Sequence, residues 1–338
     1  MRSIVAVGAA VLVAVSLSGD SPRPPEPIPI GIPAPFRSVS WSEVAARHLH
    51  EAQPLEPEAP AWAYQLYRRS LRVLFALTGP GSGGMIAGDR PGWNYVWPRD
   101  AAAGATALEE AGLRSQAFLV ASFIAGVDFD EAARFHPNEE QVPGRSAAGD
   151  APGWVWLAEH EVGMAPGPRE PWRDRQDYGE NVTGDLLGNA IAAGVPAAEI
   201  KRCFLTPRGL VRQGGGDELD SSAAWAATVF PQPELRNAVR RTLLTMTRES
   251  TPYGIPPIEG WTPGEVWTAP TAWSAWALTN LGERHAADRL LTELHRAETS
   301  YGTLPERVSA ADGHPTSTTP LAWSHAFAIL ALRARYSG

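Results

Sequence analysis

The sequence predicts an all-α toroid of six helical hairpins. Apolar residues recur at helical period along the chain, while alternating Val/Ile/Thr-rich runs bounded by turns are scarce. Three segments, "SSAAWAATVF", "PTAWSAWALT" and "PLAWSHAFAI", each place Ala-Trp early in a helix, at Trp225, Trp273 and Trp323, 48 and 50 residues apart. Each follows a polar, Gly/Pro-rich loop, so one interval holds one helix-loop-helix unit. About 300 residues at this spacing make roughly six units, and six hairpins closing on themselves form a toroid. An open solenoid satisfies the repeat too, but it does not need loops so long and aromatic.

In chain order, the opening "MRSIVAVGAAVLVAVSLSGDS" joins Arg2 to an apolar run over 4–15 and then to small residues. The run is short for a membrane span. It reads as a secretory signal over 1–19, or as an N-terminal anchor if left uncleaved, and gives a secreted or cell-surface protein. Frequent prolines make 20–38 an extended linker. The folded domain is expected over 39–338. Its first helix signal is "SVSWSEVAARHLH", with Ser40 and Glu43 at capping-box spacing. "AWAYQLYRRSLRVLFAL" sets Trp62, Leu66, Val73 and Leu77 on one stripe, and the period returns around 101–125, 235–248, 283–297 and 321–335. Segments 79–98, 136–156 and 251–270 read as long Gly/Pro/Trp-rich loops, and loops of that length usually carry function.

The chain has 338 residues, a formal net charge of −8, and one lysine (Lys201) among 29 basic residues. It lacks the basic patch that nucleic acid requires, so nucleic acid is not an expected partner. The lone Cys203 excludes an internal disulfide and a multi-cysteine metal site. No HExxH pairing joins the histidines, and no metal is expected. "GPGSGG" has dinucleotide-loop spacing, but a loop follows it where a helix is needed. The 13 tryptophans are unusual. Each is a large flat ring with a single donor, so a surplus implies either a large core or flat ligands to stack on.

"WNYVWPRD" (93–100) sets Trp93, Tyr95 and Trp97 at alternate positions before Arg99 and Asp100. Pro98 suits the first turn of a helix, which places Arg99 and Asp100 at a helix mouth behind an aromatic loop. A sugar offers apolar C–H faces to aromatics and paired hydroxyls to an Arg-Asp pair. The same residues also fit a core strip with a local ion pair. Near the C-terminus, Glu306 lies in a loop between helices, ahead of Asp312 and Ser317, where a carboxylate can act as general base toward water.

"YVWPRDAAAGATALEEAG" and "GTLPERVSAADGHPTSTTPLAWSHA" together resemble the two signature regions of glycoside hydrolase family 15, the glucoamylases, glucodextranases and related trehalases. "GDAPGWVWLAEH", "DELDSSAAWA" and "GEVWTAPTAW" fall in the expected order between them, so the likeness spans roughly 60 to 335. The resemblance implies an (α/α)6 barrel and exo-hydrolysis of α-glucosidic bonds with inversion, without a cofactor. It implies Glu306 as general base, Ser317 as holder of the nucleophilic water, Arg99 and Asp100 as the grip on the terminal glucose, and Trp267 as an aromatic lining the same pocket, where Trp97 and Trp154 are expected as further walls. Glu180 of "RQDYGENVTGDLLGNA" matches the general acid, with Glu161 and Glu218 in reserve. Gly179 replaces the tryptophan usual beside the acid, Trp93 stands for a tyrosine, and the arginine expected ahead of Glu259 is missing.

The expected partner is an α-glucan oligosaccharide or a disaccharide, with membrane contact only through an uncleaved N-terminus. The rival is a toroid that lost its acid and kept sugar binding. A lyase on the same scaffold is a further alternative, but the surroundings of Glu306 do not suggest one.

Overall fold

The computed structural model describes residues 49–144, 149–167, 186–261 and 263–337. In order, its helices are α1 (Ala61–Leu77), α2 (Pro98–Glu110), α3 (Arg114–Gly126), α4 (Ala151–Glu161), α5 (Leu187–Ala192), α6 (Ala197–Phe204), a 3-10 segment (Ser221–Ala227), α7 (Arg236–Arg248), α8 (Thr268–Asn280), α9 (Arg284–Arg296) and α10 (Ala322–Tyr336). Strands β1 (Glu265–Trp267) and β2 (Arg307–Ser309) pair antiparallel. The expected signal, linker and first capping box lie outside the described residues. Among the described residues no helix is long and apolar enough to cross a membrane.

The toroid closes. α2, α4, α5, the 3-10 segment, α8 and α10 each touch the next, and α10 returns to α2. α1, α3, α6, α7 and α9 pack around this inner ring. Composition sorts the two layers. α2 buries every residue of 100–108 and α8 every residue of 268–275, so both are rich in small side chains. α1, α7 and α9 are amphipathic, with the charged face outward. Inner packing is tight: a Cβ on Gly104 would sit 2.3 Å from Met85 Sδ, and one on Gly153 would sit 2.3 Å from the Ala192 carbonyl oxygen.

Several inner helices end the same way. After α2, the Gly112 N–H bonds the Glu109 carbonyl and the Leu113 N–H bonds the Leu108 carbonyl, with Gly112 at φ +79°. This is a Schellman cap, which needs a left-handed residue that glycine supplies without strain. α4, α5 and α8 repeat it at Gly163, Gly194 and Gly282. It divides the helical stretch 101–125 into α2 and α3 at Gly112. One difference from expectation is that α4 begins inside the expected 136–156 loop, with Pro152 in its first turn.

The repeated tryptophans meet. Ring centroids lie 5.5 Å apart for Trp225–Trp273, 5.0 Å for Trp273–Trp323 and 6.1 Å for Trp225–Trp323. Trp154 joins at 5.0 Å from Trp225 and 6.3 Å from Trp323. Tilted and edge-on pairs like these add roughly 0.5–1.5 kcal/mol each beyond their buried area. Part of the tryptophan surplus therefore fills the inside of the ring. The first of the three repeat segments is 3-10 rather than α.

Candidate active site

The first and last sequence motifs come together at one end of the ring. α2 starts there, with Trp97 as its extended N-cap and Pro98 in the first turn. The preceding loop is tied to the C-terminal one: the Ala322 N–H donates to the Ala87 carbonyl at 2.7 Å, and Arg90 Nη1 donates to the Ser317 carbonyl at 3.4 Å. Gly88 allows the approach, since a Cβ there would lie 2.8 Å from Thr318 Oγ1.

Glu306 stands at this junction, its side chain 15% exposed. Ser317 Oγ donates to Glu306 Oε2, and the Trp93 indole N–H donates to the same carboxylate. Arg307 Nε lies 3.6 Å from Oε2. Burial raises the Glu306 carboxyl above the ordinary range. The Ser317 hydrogen bond, the Arg307 charge and the Trp93 hydrogen bond oppose that rise, and the Glu265 charge adds to it.

The β1–β2 register brings a second motif beside the first. Trp267 pairs with Arg307, whose guanidinium lies 5.6 Å from the Trp267 ring centroid and donates to Glu265 at 2.8 Å. Trp267, half-buried, is therefore one residue from Glu306 across the ladder, and its neighbour Thr268 donates its N–H to the Glu306 carbonyl at 3.2 Å.

Asp100 is buried in the first turn of α2, where Oδ1 accepts the Trp323 N–H at 3.3 Å. Burial pushes its carboxyl up to about 7. The Arg99 charge and the Trp323 N–H pull it down, and the Glu306 charge pushes it further up, so the two carboxyls sense each other. Arg99 does not form the local pair with Asp100. It donates to Asp150 at the start of α4, at 2.9 and 3.0 Å, and lies 5.9 Å from the Trp323 ring.

Sequence reasoning did not single out Asp150 or Arg307. Asp150 sits in the quoted "GDAPGW", where an acid directly before a Pro-containing first turn was the available signal. Arg307 directly follows Glu306 within the quoted "GTLPERVSAADG" stretch.

The aromatic residues divide. Trp93 and Tyr95 are half-buried. Tyr95 is flanked by His136, 5.1 Å away edge-on, and by the Arg134 guanidinium at 4.6 Å. Trp97 is only 2% exposed and packs with Ala87 and Leu321, so it backs the site rather than facing it. Trp154 is a correction. It is 0% exposed, because α4 turns it inward onto Trp225, Phe230 and Trp323. Glu180 lies outside the described residues. Neither reserve acid fits: Glu161 senses Glu109 and Glu110 at the far end of α2, and Glu218 is exposed, without the apolar burial a proton donor needs. Among the described residues no group of three or more His, Cys, Asp or Glu could hold a metal ion.

No family model matches the chain, and no curated protein matches it in sequence. Solved structures do match. A glycosidase, solved as the wild type and as a variant in complex with glucose, superposes at TM-score 0.68 with 17% and 18% identity, over 81% of this chain and 97% of that one. A bacterial glucoamylase complexed with acarbose gives 0.64 at 14% identity, over 86% of this chain and 57% of that one. Hormoconis resinae glucoamylase gives 0.58 at 14% identity, over 88% and 73%. With its closed inner ring, the chain has the fold of these glycosidases and glucoamylases, an (α/α)6 toroid.

Proposed function

We propose that the protein is an inverting exo-glycoside hydrolase that releases glucose from the non-reducing end of α-linked glucosides. The observation that carries this is Glu306, a carboxylate at one end of an (α/α)6 toroid, held by Ser317 and Trp93 within electrostatic reach of the buried Asp100. That is the environment of a general base: fixed in orientation, raised toward its working range, and near a group able to grip a hydroxyl.

In this mechanism Glu306, ionised, takes a proton from the water that attacks the anomeric carbon. Ser317 orients that water through the oxygen it shares with the base. Glu180 gives a proton to the leaving glycosidic oxygen as the bond breaks. Inversion requires the two carboxyls to face each other across about 6.5–9.5 Å, with room for the water. Asp100 accepts from hydroxyls of the terminal glucose and Arg99, held by Asp150, donates to them. Trp267 offers a flat face. No cofactor enters. The glucose and acarbose bound by proteins of the same fold support a sugar ligand. The apolar N-terminal run supports export, as a cleaved signal or an anchor.

The test is glucose release by the purified chain from maltooligosaccharides, isomaltooligosaccharides and trehalose, with Glu306→Gln and Glu180→Gln alongside. Release by the wild type and loss in both variants is expected. No release from any substrate, together with sugar binding that depends on Asp100, establishes the sugar-binding toroid instead. Gly179, beside the proposed acid, is the sequence feature that motivates that arm.

A further inference from the structure

A histidine with no part in this chemistry sits behind the base. His325 of α10 is 0% exposed. Its Nε2 accepts the Leu304 backbone N–H at 2.9 Å, and its Nδ1 lies 2.9 Å from Ser70 Oγ on α1. A ring nitrogen that accepts an N–H carries the lone pair, so the proton is on Nδ1 and is donated to Ser70. Burial agrees, pushing the imidazole down to about 3 and keeping it neutral. A serine beside a histidine elsewhere suggests a nucleophile and its base. Here the lone-pair nitrogen is occupied by Leu304 and the serine faces the protonated one, so Ser70 has no base.

Leu304 lies two residues ahead of Glu306, and the short segment between them is fastened at each peptide. The Leu304 carbonyl accepts the Leu321 N–H at 3.1 Å. The Pro305 carbonyl accepts Ser324 Oγ at 3.3 Å. Glu306 donates its N–H to the Thr318 carbonyl at 2.9 Å. Among the side chains in this set, only His325 also reaches the outer layer, at Ser70.

We propose that His325 is a positioning residue for the base: by holding the Leu304 N–H from α10 and bracing on Ser70 of α1, it fixes the segment 304–306 so that the Glu306 carboxylate meets Ser317 and Trp93. This rests on Glu306 being the general base. The imidazole suits the task because it spans a helix-to-loop gap with one acceptor and one donor.

The test uses the full chain. In isotope-labelled wild type, a coupling across the hydrogen bond between the Leu304 amide nitrogen and His325 Nε2 is expected, and its absence overturns the contact. His325→Leu removes both polar ends, whereas His325→Gln keeps an acceptor and a donor. His325→Leu is expected to lower kcat roughly 10- to 100-fold, the scale of a misplaced catalytic group, and to leave KM within about 2-fold. It also moves the Glu306 carboxyl titration followed by carbon NMR, and His325→Gln recovers part of both effects. A folded His325→Leu with wild-type kcat and an unmoved Glu306 titration overturns the proposal. If that variant does not fold, Ser70→Ala frees the brace and carries the same readouts, with a smaller loss expected and no change overturning. If the wild type cleaves no glucoside, the proposed function fails by itself, and the Glu306 titration still decides the role of His325.

Discussion

Arg99 Nη1 donates to both carboxylate oxygens of Asp150, at 2.9 and 3.0 Å, and the two side chains are only 16% and 6% exposed. A guanidinium in that setting has lost much of its hydration, and Asp150 both offsets the charge and sets its orientation. The first turn of α2 is thus aimed by the first turn of α4.

Asp150→Ala therefore removes a close carboxylate partner from a mostly buried cation. Denaturant unfolding should show a loss of roughly 3–5 kcal/mol, the usual result of removing one member of a buried pair. Asp150→Asn keeps the shape and removes the charge. It should raise KM about 10-fold or more while moving kcat less, because in the proposed mechanism Arg99 binds the sugar and takes no part in proton transfer. An unchanged KM contradicts the role given to Arg99.

The pH profile follows from Glu306 as the proposed general base. A base works when ionised, so kcat/KM rises as pH climbs through its pKa, which burial has raised. Ser317 stabilises the charged form, so its loss raises that pKa further. In Ser317→Ala the acid limb should move to higher pH, by roughly 0.5–2 units for one hydrogen bond to a charged acceptor. A shift to lower pH, or none, contradicts the contact.

Asp100 gives a stability prediction with a definite sign. Its folded pKa, about 7, lies above the unfolded value, so between about pH 4 and 7 the folded state holds more protons than the unfolded one. Stability from this group therefore falls as pH rises through that window. Asp100→Asn escapes the cost. The variant should match the wild type near pH 4, exceed it at pH 8 by roughly 1–3 kcal/mol, and lose sugar affinity at both. Parallel stability curves across this range contradict the burial argument.

Trp154 and Trp267 separate core from wall. Trp154→Ala should cost about 3–5 kcal/mol through the cavity it leaves, with kcat and KM little changed in the folded fraction. Trp267→Ala should raise KM at a smaller cost in stability, because the residue is only partly buried. Melting curves paired with kinetics decide, and the reverse pattern contradicts the assignment.

The toroid was legible because its constraint repeats. An inner helix is buried on most sides, so it needs small residues and an inward aromatic, and that pattern recurs at Trp225, Trp273 and Trp323. The glycine caps at Gly112, Gly163, Gly194 and Gly282 are a second repeat, visible in "EAGL", "EVGM", "AAGV" and "NLGE" but not used. At the site, Arg99, Asp100, Glu306 and Ser317 were readable because their motifs are compact in sequence. Asp150 and His325 were not, since Asp150 reaches Arg99 across 51 residues and His325 ties Leu304, 21 residues away, to Ser70, 255 away, and no local spacing encodes such contacts. Trp154 misled for a related reason: an aromatic beside a Gly-Pro loop looks the same whether its helix turns it inward or outward.

The most direct test is the stereochemistry of the first product. Proton NMR of the wild type acting on the α-linked glucoside it cleaves should show the β-anomer of glucose first, with the α-anomer growing only at the rate of mutarotation. Inversion and Glu306 acting as base toward water both require that order. α-Glucose as the first product would mean a covalent intermediate and a different role for Glu306, and would contradict the mechanism proposed for this site.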